Sequence, residues 1–554
     1  MWIEKKLNSV SLDSLLYKCV KKCCEQHSPS EASQHCPNGK QLISFVNTNA
    51  ALTNRPLLTT GDAFKLPLHI RQEVVDYLVR ERVAVNATFL CDLLREGGVH
   101  ELDLWTLAEV NDYNANDMSI ILNTLAENTS NLKELSIGGS WIYNSRLVNG
   151  ALQRLLSALS SSKLTSLRIQ QTSLQQLLTI LESCPNLKRL IISQPSFSDK
   201  DVFTIEEQLQ TQSSLQFASI RRSLRELHIP SSIRKGGLFK LLHLFPNIQW
   251  LKCARFEWLL DALVDDIGSP ILPASDEHYS VLRTLNRLRG LTITHPLSRN
   301  SVLRIVACCP MVEELSLEVQ DGMQLNPIVQ LSHLKKLHFH NSPNLSTSFI
   351  EQVIPVLQKI GFNLDSLSVE QFDVVDLKDL AYLCPNLKSL SAQWFTIIGC
   401  NHSSQQFLTR AEREAVRNRF ANLRHIRLRP RVEGTVHPEC VKFVLGRAHL
   451  IEDIELYCCH NLNDTHIQQL KATNHFKKLK SFILRHGHSV TKKAIRHLTF
   501  HSSCLQYIDC GRPTLSKAEL VPNDDEDGDG NGNADDEDDD DNGDFDNENF
   551  DNEF

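Results

Sequence analysis

The segment Leu132-Lys-Glu-Leu135-Ser-Ile137 is one copy of a short phrase that recurs along the 554-residue chain. The phrase consists of an apolar residue, two polar residues, Leu, one usually polar residue and a last apolar residue. Three other clear copies are Leu164-Thr-Ser-Leu167-Arg-Ile169, Leu187-Lys-Arg-Leu190-Ile-Ile192 and Leu224-Arg-Glu-Leu227-His-Ile229. Further copies begin at Ile248, Leu288, Val312, Leu334, Leu364, Leu387, Leu423, Ile451, Leu479 and Leu505, with a first copy at Val99.

Each phrase predicts a short β-strand, because alternate side chains of a strand point to opposite faces and the apolar ones share a core. The segments Leu174 to Leu181 and Ile467 to Leu470 carry apolar residues at helical spacing and predict helices that return the chain to the next strand. A single phrase is compatible with an ordinary strand of a globular α/β domain. About fifteen copies favour a repeat array instead.

Successive phrases begin about 22 to 40 residues apart, which brackets the length of a leucine-rich repeat and leaves room for insertions. Residues 99–515 therefore resemble the leucine-rich-repeat family, although the repeat lengths are irregular and an insertion separates Leu251 from Leu285. The resemblance implies an α/β solenoid with a curved parallel sheet inside and helices outside. The cysteine-containing subtype is most similar, because cysteines precede several strands: Cys184, Cys308 or Cys309, Cys384 and Cys504.

Composition points to an intracellular protein. Hydrophobic residues make up 41% and charged residues 22% of the chain, and no apolar run reaches the length of a membrane span. The N-terminus lacks the features of a secretory signal, so we expect the 16 cysteines to be reduced and the protein to be cytoplasmic, nuclear or both. Cys308-Cys309 and Cys458-Cys459-His460 are adjacent pairs rather than the Cys-x-x-Cys of zinc sites, and we expect no metal.

Charge is divided unevenly along the chain. Residues 523–554 hold 17 acidic residues and no Lys or Arg, which leaves 49 acidic against 58 basic residues in positions 1–522. The segment 523–554 is rich in Asp, Asn and Gly, and we predict a disordered acidic tail. The opposite charges suggest the hypothesis that the tail folds back onto the basic body of the protein.

The outward positions of the strands are the default binding surface of a solenoid, because they cover its concave face. These positions lean basic, which favours an acidic partner, but acidic residues are interspersed among them, and mixed charge of this kind is typical of an ordinary solvated surface. We expect a protein substrate rather than nucleic acid here. The candidate substrate-binding residues are Arg168, Lys188, Arg189, Arg225, Trp250, Lys335, Lys336, Arg424 and Arg427.

Two helices are predicted ahead of the repeats. The first lies in residues 1–27, where apolar positions Leu12, Leu15, Leu16, Cys19 and Cys23 fall on one helical face. A polar loop, 28–62, separates it from a helical module, 63–98, whose helix begins near Leu66-Pro67. One interpretation is that these helices only cap the open end of the solenoid.

A resemblance gives the module a sharper interpretation. Leu15, Cys19 and Cys23 are similar to the elongin-binding box of cullin ubiquitin-ligase receptors, and Leu66, Pro67 and Ile70 to the cullin box that follows it. Box, loop, cullin box and leucine-rich repeats occur in that order in the Zyg eleven homologue family of substrate receptors, although the armadillo repeats of that family are missing here. The segment from Leu66-Pro67 to Tyr77-Leu78 also resembles the opening of an F-box, with Cys91 and Trp105 as later landmarks.

Both resemblances imply a non-catalytic receptor that carries a protein substrate to a cullin ligase, through elongin B and C or through the F-box adaptor. The sequence contains no Gly-rich phosphate loop, nucleophile elbow or zinc-protease motif, and we expect neither enzymatic activity nor a cofactor. The alternative is a leucine-rich-repeat scaffold or chaperone outside the ligase pathway, whose acidic tail binds basic proteins such as histones.

Overall fold

A computed structural model describes residues 68–509, except for short gaps at 81, 140–144, 196–197, 212–214, 230, 234, 265–274, 343–347, 400–419, 486–488, 500–501, 503 and 506. The predicted first helix with Leu15, Cys19 and Cys23, the polar loop, Leu66, Pro67 and the acidic tail all lie outside the described residues.

The described chain forms a leucine-rich-repeat solenoid built on one parallel sheet of 16 strands. Fifteen of them follow one another across the sheet in chain order. The other strand, β11, lies outside this order and pairs with β12. The strands are β1 Glu101–Asp103, β2 Glu134–Ile137, β3 Ser166–Thr172, β4 Arg189–Pro195, β5 Glu226–Ile229, β6 Trp250–Cys253, β7 Gly290–Ile293, β8 Glu314–Val319, β9 Lys336–Asn341, β10 Ser366–Glu370, β11 Val374–Asp376, β12 Ser389–Gly399, β13 His425–Val436, β14 Asp453–Tyr457, β15 Ser481–Arg485 and β16 Tyr507–Asp509.

The register confirms the repeat phrase. The central apolar residue of each copy, Leu in most of them, lies beside its counterpart on the next strand, as Leu135 does with Leu102 and Leu167. These side chains are buried, whereas the residues on either side of them in each strand face the concave surface. All fifteen predicted copies are strands of this sheet.

Helices and short helical turns return the chain on the other side of the sheet. Several begin at a polar cap: the Asn114 side chain accepts from Asp117 N, and Ser173 from Gln176 N. The helices are α1 Leu68–Arg80, α2 Ala87–Leu94, α3 Leu104–Asn111, α4 Ala115–Glu127, α5 Arg146–Ala158, α6 Leu174–Ser183, α7 Asp199–Thr211, α8 Leu215–Ser223, α9 Lys235–Leu244, α10 Phe256–Leu263, α11 Asp276–Leu285, α12 Ser301–Cys308, α13 Phe349–Gln352, α14 Ile354–Ile360, α15 Leu377–Leu383, α16 Pro438–Leu445, α17 Asp464–Thr473 and α18 Lys492–Thr499.

A single hydrophobic core runs between the sheet and the helices, from Val74 to Ile508. Cysteines fill part of it as small apolar side chains. Burial raises the pKa of Cys184, Cys384 and Cys459 to about 12, so these thiols stay protonated and unreactive at neutral pH.

Helix α1 closes the first end of this core. The Gln72 side chain is buried against the free edge of β1, where its Oε1 accepts from His100 N and Glu101 N at 2.8 and 3.0 Å. Its Nε2 donates to the Glu101 carbonyl at 2.9 Å. Arg71, 1% exposed, pairs with Glu96 at 3.1 Å. Helix α1 therefore caps this end of the described solenoid, whereas the first of the two predicted helices lies outside the described residues.

Candidate functional site

A hollow of about 690 Å³ lies at the centre of the concave face. It spans seven neighbouring strands, from β4 to β10, and its walls are the outward side chains of those strands. We refer to it as the concave hollow. Its main polar and aromatic lining residues are Arg189, Glu226, His228, Trp250, Lys252, Glu314, Glu318, Lys336, His338 and His340.

Trp250 is the largest apolar group in the concave hollow, and its side chain is 38% exposed. The indole lies across the adjacent strand, over Gly290, which is its register partner. A Cβ atom at position 290 would lie only 2.1 Å from Trp250 Cδ1, so the glycine makes room for the ring. Exposed tryptophans held in a fixed orientation are frequent anchors of protein interfaces.

Two groups of charges flank Trp250. On one side, Glu226 binds Arg189 at 3.0 Å and His228 Nε2 at 2.9 Å. Burial raises the pKa of Glu226, but the hydrogen bonds from His228 and Arg189 outweigh it, and the pKa is lowered. On the other side, Lys336 pairs with Glu314 at 3.0 Å. The charges near the tryptophan therefore largely neutralise one another.

A histidine–carboxylate cluster forms the far wall. Glu318, His340 and Glu370 occupy neighbouring positions of adjacent strands, β8, β9 and β10. Glu370 binds His338 Nε2 at 3.4 Å, His340 Nδ1 at 3.3 Å and Gln393 Nε2 at 2.9 Å. Glu318 makes no hydrogen bond to another described side chain, which leaves its carboxylate open to a cationic ligand group.

Contacts within the cluster shift the pKa values of its side chains. Hydrogen bonds from His338 and His340 lower the pKa of Glu370 to about 2. The hydrogen bond to Glu370 in turn raises the pKa of His340 above its ordinary value. Burial raises the pKa of Glu318, and the nearby His340 opposes that shift. The wall therefore carries a negative charge whose neutralisation by His340 depends on pH.

The concave hollow brings together three of the nine predicted substrate-binding residues: Arg189, Trp250 and Lys336. Arg168 faces the same side of the sheet nearer its start, where its guanidinium lies 4.2 Å from the centre of the Trp105 ring. Arg427 lies beyond the hollow and binds Glu455 through two hydrogen bonds of 2.6 and 2.9 Å.

The other four predicted residues each precede a strand by one position and so lie on the side of the sheet where the strands begin. They are Lys188, Arg225, Lys335 and Arg424. Arg225 donates there to the carbonyls of Arg222 and Asn247 and so supports the backbone. Arg424 pairs with Glu452 at 3.2 Å. Neither side chain lines the concave hollow.

Sequence reasoning missed Gly290 and the histidine–carboxylate cluster. Glu318, His340 and Glu370 stand one residue beyond the last apolar position of their phrases, so the strand alternation extended by one step would have pointed to them. Their contact across three strands required the register, which a single sequence does not supply. The importance of Gly290 likewise depends on the register, which places Trp250 beside it.

The predicted adaptor-binding residues are placed only in part. Ile70 lies in α1, and the others precede the described residues. On the same helix Leu68 is 47% exposed, and Glu73 and Asp76 are exposed, whereas Val74, Val75 and Leu78 are buried. One face of α1 is therefore fixed to the solenoid and the other is accessible.

Within the described residues, no group of three or more His, Cys, Asp or Glu side chains is arranged to hold a metal ion. No helix among them is long and apolar enough to cross a membrane.

No protein-family model matches the chain, and no curated protein matches its sequence. Among solved structures, the chain is similar to the yeast complex of Rad7 and Elc1, with 16% identity, a TM-score of 0.36 and coverage of 87% of this chain and 95% of that one. It is also similar to the TLR13–ssRNA13 complex, with 13% identity, a TM-score of 0.33 and coverage of 67% of this chain. An internalin C2 from Listeria monocytogenes shares 13% identity over 48% of this chain and 73% of its own, with a TM-score of 0.19.

The chain spans half of the TLR13 chain. The strand order and register of this protein define its fold, and these likenesses add nothing to its functional assignment. The protein is a leucine-rich-repeat solenoid with an open concave hollow.

Proposed function

We propose that this protein is the substrate-recognition subunit of a cullin-RING ubiquitin ligase, which binds its adaptor through the N-terminal helices and its substrate in the concave hollow. The observation that carries the proposal is the two-faced placement of α1. This helix contains Ile70 of the cullin-box-like motif, is fixed to the first repeat by Arg71 and Gln72, and keeps its other face accessible.

Such a placement suits a receptor. A ligase acts by holding its substrate near the site of ubiquitin transfer, and proximity of this kind requires a defined geometry between the adaptor and the substrate. An adaptor bound at α1 would be coupled to the concave hollow through one continuous hydrophobic core. In this proposal the protein supplies no catalytic residue and no cofactor.

The adaptor interaction can be tested with the full chain and purified adaptors. The chain is mixed separately with elongin B and C and with the F-box adaptor, and complexes are separated by size exclusion. We expect elongin to co-elute with the wild type and not with the double variant Leu15→Ala, Cys19→Ala. The matched control is Tyr17→Ala with Lys21→Ala, which changes the opposite side of the predicted helix and should leave co-elution intact.

The other outcomes are equally informative. Co-elution with the F-box adaptor alone would keep the receptor function and change the cullin. Binding to neither adaptor by a folded full-length chain would contradict the proposal. The scaffold or chaperone with an acidic, histone-binding tail would then become the leading account.

A further inference from the structure

Near the last strands, the concave face carries an arginine that lies against two aromatic rings. The guanidinium of Arg429 in β13 lies 4.0 Å from the centre of the Trp394 ring and 5.2 Å from that of Tyr457. These aromatic residues belong to the two neighbouring strands, β12 and β14. Arg429 forms no ion pair with any described side chain. We call Trp394, Arg429, Arg431 and Tyr457 the arginine shelf.

The shelf is built by a bulge in the sheet. Regular alternation would turn residue 394 into the core, because Ala392 is buried and Gln393 faces outward. Instead Trp394 adopts a left-handed conformation, with φ of 60°, at a register shift between Gln393 and Phe395. Phe395 takes the buried position, and the Trp394 ring is left beside Arg429.

Arg431 holds this bulge in place. Its Nε donates to the Trp394 carbonyl at 3.0 Å, and its side chain remains exposed. Non-glycine residues in the left-handed region cost about 1 kcal/mol or more and are frequent at functional sites. The bulge thus uses strained backbone to place an aromatic ring against an arginine.

The geometry defines the ligand chemistry. Aromatic rings beside a guanidinium restrict its orientation while its N–H groups remain available at the edge of the plane. An oriented guanidinium is suited to paired hydrogen bonds with a carboxylate. Arg427, in the preceding outward position, already has Glu455 as such a partner, whereas Arg429 has none among the described residues.

We propose that the arginine shelf is a carboxylate-binding site and that its occupant is the acidic tail of the same chain, residues 523–554. The tail contributes 17 acidic side chains and no base. Strand β13 is three strands from β16, a distance of about 14 Å at the usual strand spacing. The 15 residues from Asp509 to Asp524 can extend over roughly 50 Å, so the tail can reach the shelf.

Tethering makes this contact favourable. A linker of this length gives an attached segment an effective concentration near the millimolar range. A separate acidic protein of equal affinity would need a higher concentration than this to displace the tail. The tail would therefore shield the shelf until a tighter acidic ligand displaces it. This inference is independent of the receptor function.

A competition experiment in the full chain tests the proposal. A fluorescent peptide of residues 523–554 is titrated into the wild type and into a chain whose 17 tail carboxylates are changed to Asn or Gln. We expect the charge-neutral tail to raise peptide affinity by about tenfold or more, since the internal competitor is lost. Adding Arg429→Ala should reverse most of that gain, and Arg429→Lys should reverse part of it, because Lys keeps the charge without the planar fork.

The matched control is Arg221→Ala in α8, an equal change of charge at an exposed position away from the shelf. Equal peptide affinity of the wild type and the charge-neutral tail would overturn the tail as the occupant. Equal effects of Arg429→Ala and Arg221→Ala would overturn the shelf as a site and indicate diffuse attraction to the basic body. Circular dichroism of each variant identifies any loss of folding.

Discussion

At the scale of single residues, the shape of the concave hollow depends on Gly290, a residue without a side chain. Gly290 begins β7 beside Trp250, and its importance lies in the space that it leaves for the Trp250 indole. Trp250 was predicted as a binding residue from its type and position. Its fixed orientation was not, because that property belongs to the neighbouring strand.

Gly290→Ala should displace the Trp250 ring, since a Cβ atom there would lie 2.1 Å from Cδ1. In fluorotryptophan-labelled protein, we expect the fluorine resonance of Trp250, assigned with Trp250→Phe, to shift strongly. The control is Gly150→Ala in α5, where a Cβ atom meets nothing within 4 Å. That change should leave the resonance in place and stabilise the helix by up to about 1 kcal/mol. An unchanged Trp250 resonance in Gly290→Ala would contradict the packing described here.

The histidine–carboxylate cluster predicts a pH dependence. The pKa of Glu370 falls from 4.5 to about 2, so its stabilising contribution is present above pH 4.5 and is lost as the pH falls toward 2. The pKa of His340 is raised above 6.5, so its contribution is present below pH 6.5 and is lost as the pH rises through the raised value. Both contributions are therefore present together between about pH 4.5 and 6.5.

Glu370→Gln should lower the pKa of His340, which NMR titration of the histidine ring can measure. We expect the variant to reduce the midpoint of denaturant unfolding more at pH 6 than at high pH, since the contribution of charged His340 is lost as the pH rises through its raised pKa. Glu313→Gln is the control, because Glu313 pairs with Arg289 rather than with histidine. A His340 pKa that stays the same in Glu370→Gln would show that the cluster is not coupled.

At the scale of secondary-structure elements, the repeat phrase predicted every strand in the main order of the sheet. It could do so because each strand needs two buried apolar residues at fixed spacing, and that requirement is visible in the residue types. The bulge at Trp394 and the left-handed residues Gln371 and Cys458, just beyond the ends of β10 and β14, were not predicted. They interrupt the alternation by backbone conformation, for which these non-glycine residues give no local signal.

The cap formed by α1 was predicted only as a possibility, because its contacts are made by polar residues that look like surface residues in the sequence. Gln72→Ala should leave the amides of His100 and Glu101 without partners and destabilise this end by about 1 to 3 kcal/mol. Hydrogen exchange should accelerate at these amides and in α1, while the central strands stay protected. Glu73→Ala, on the exposed face of the same helix, should not change exchange, and equal effects of the two variants would exclude the capping contact.

At the scale of the whole molecule, the basic character of the body is spread over a face of paired charges rather than gathered into one patch. Three sets of charges neutralise one another where the strands begin, each residue lying one position before its strand: Arg289–Glu313, Lys388–Asp365 and Arg424–Glu452–Lys480. Charge alone therefore gives little selectivity between ligands at these positions. We expect selectivity to depend on side chains held in a fixed orientation, such as Trp250 and Arg429. The sequence showed the net charges, but the pairing depended on which strands lie side by side.

The proposed function requires that one chain carries two separable surfaces, an adaptor surface in the N-terminal helices and a substrate surface in the concave hollow. Proximity biotinylation in cells tests it most directly, with the wild type, Trp250→Ala, and the double variant Leu15→Ala, Cys19→Ala compared at equal expression. We predict that the double variant loses the adaptor and its cullin but keeps the hollow-dependent proteins, and that Trp250→Ala does the reverse. Loss of the same proteins in both variants, or no cullin or adaptor near the wild type, would contradict the account.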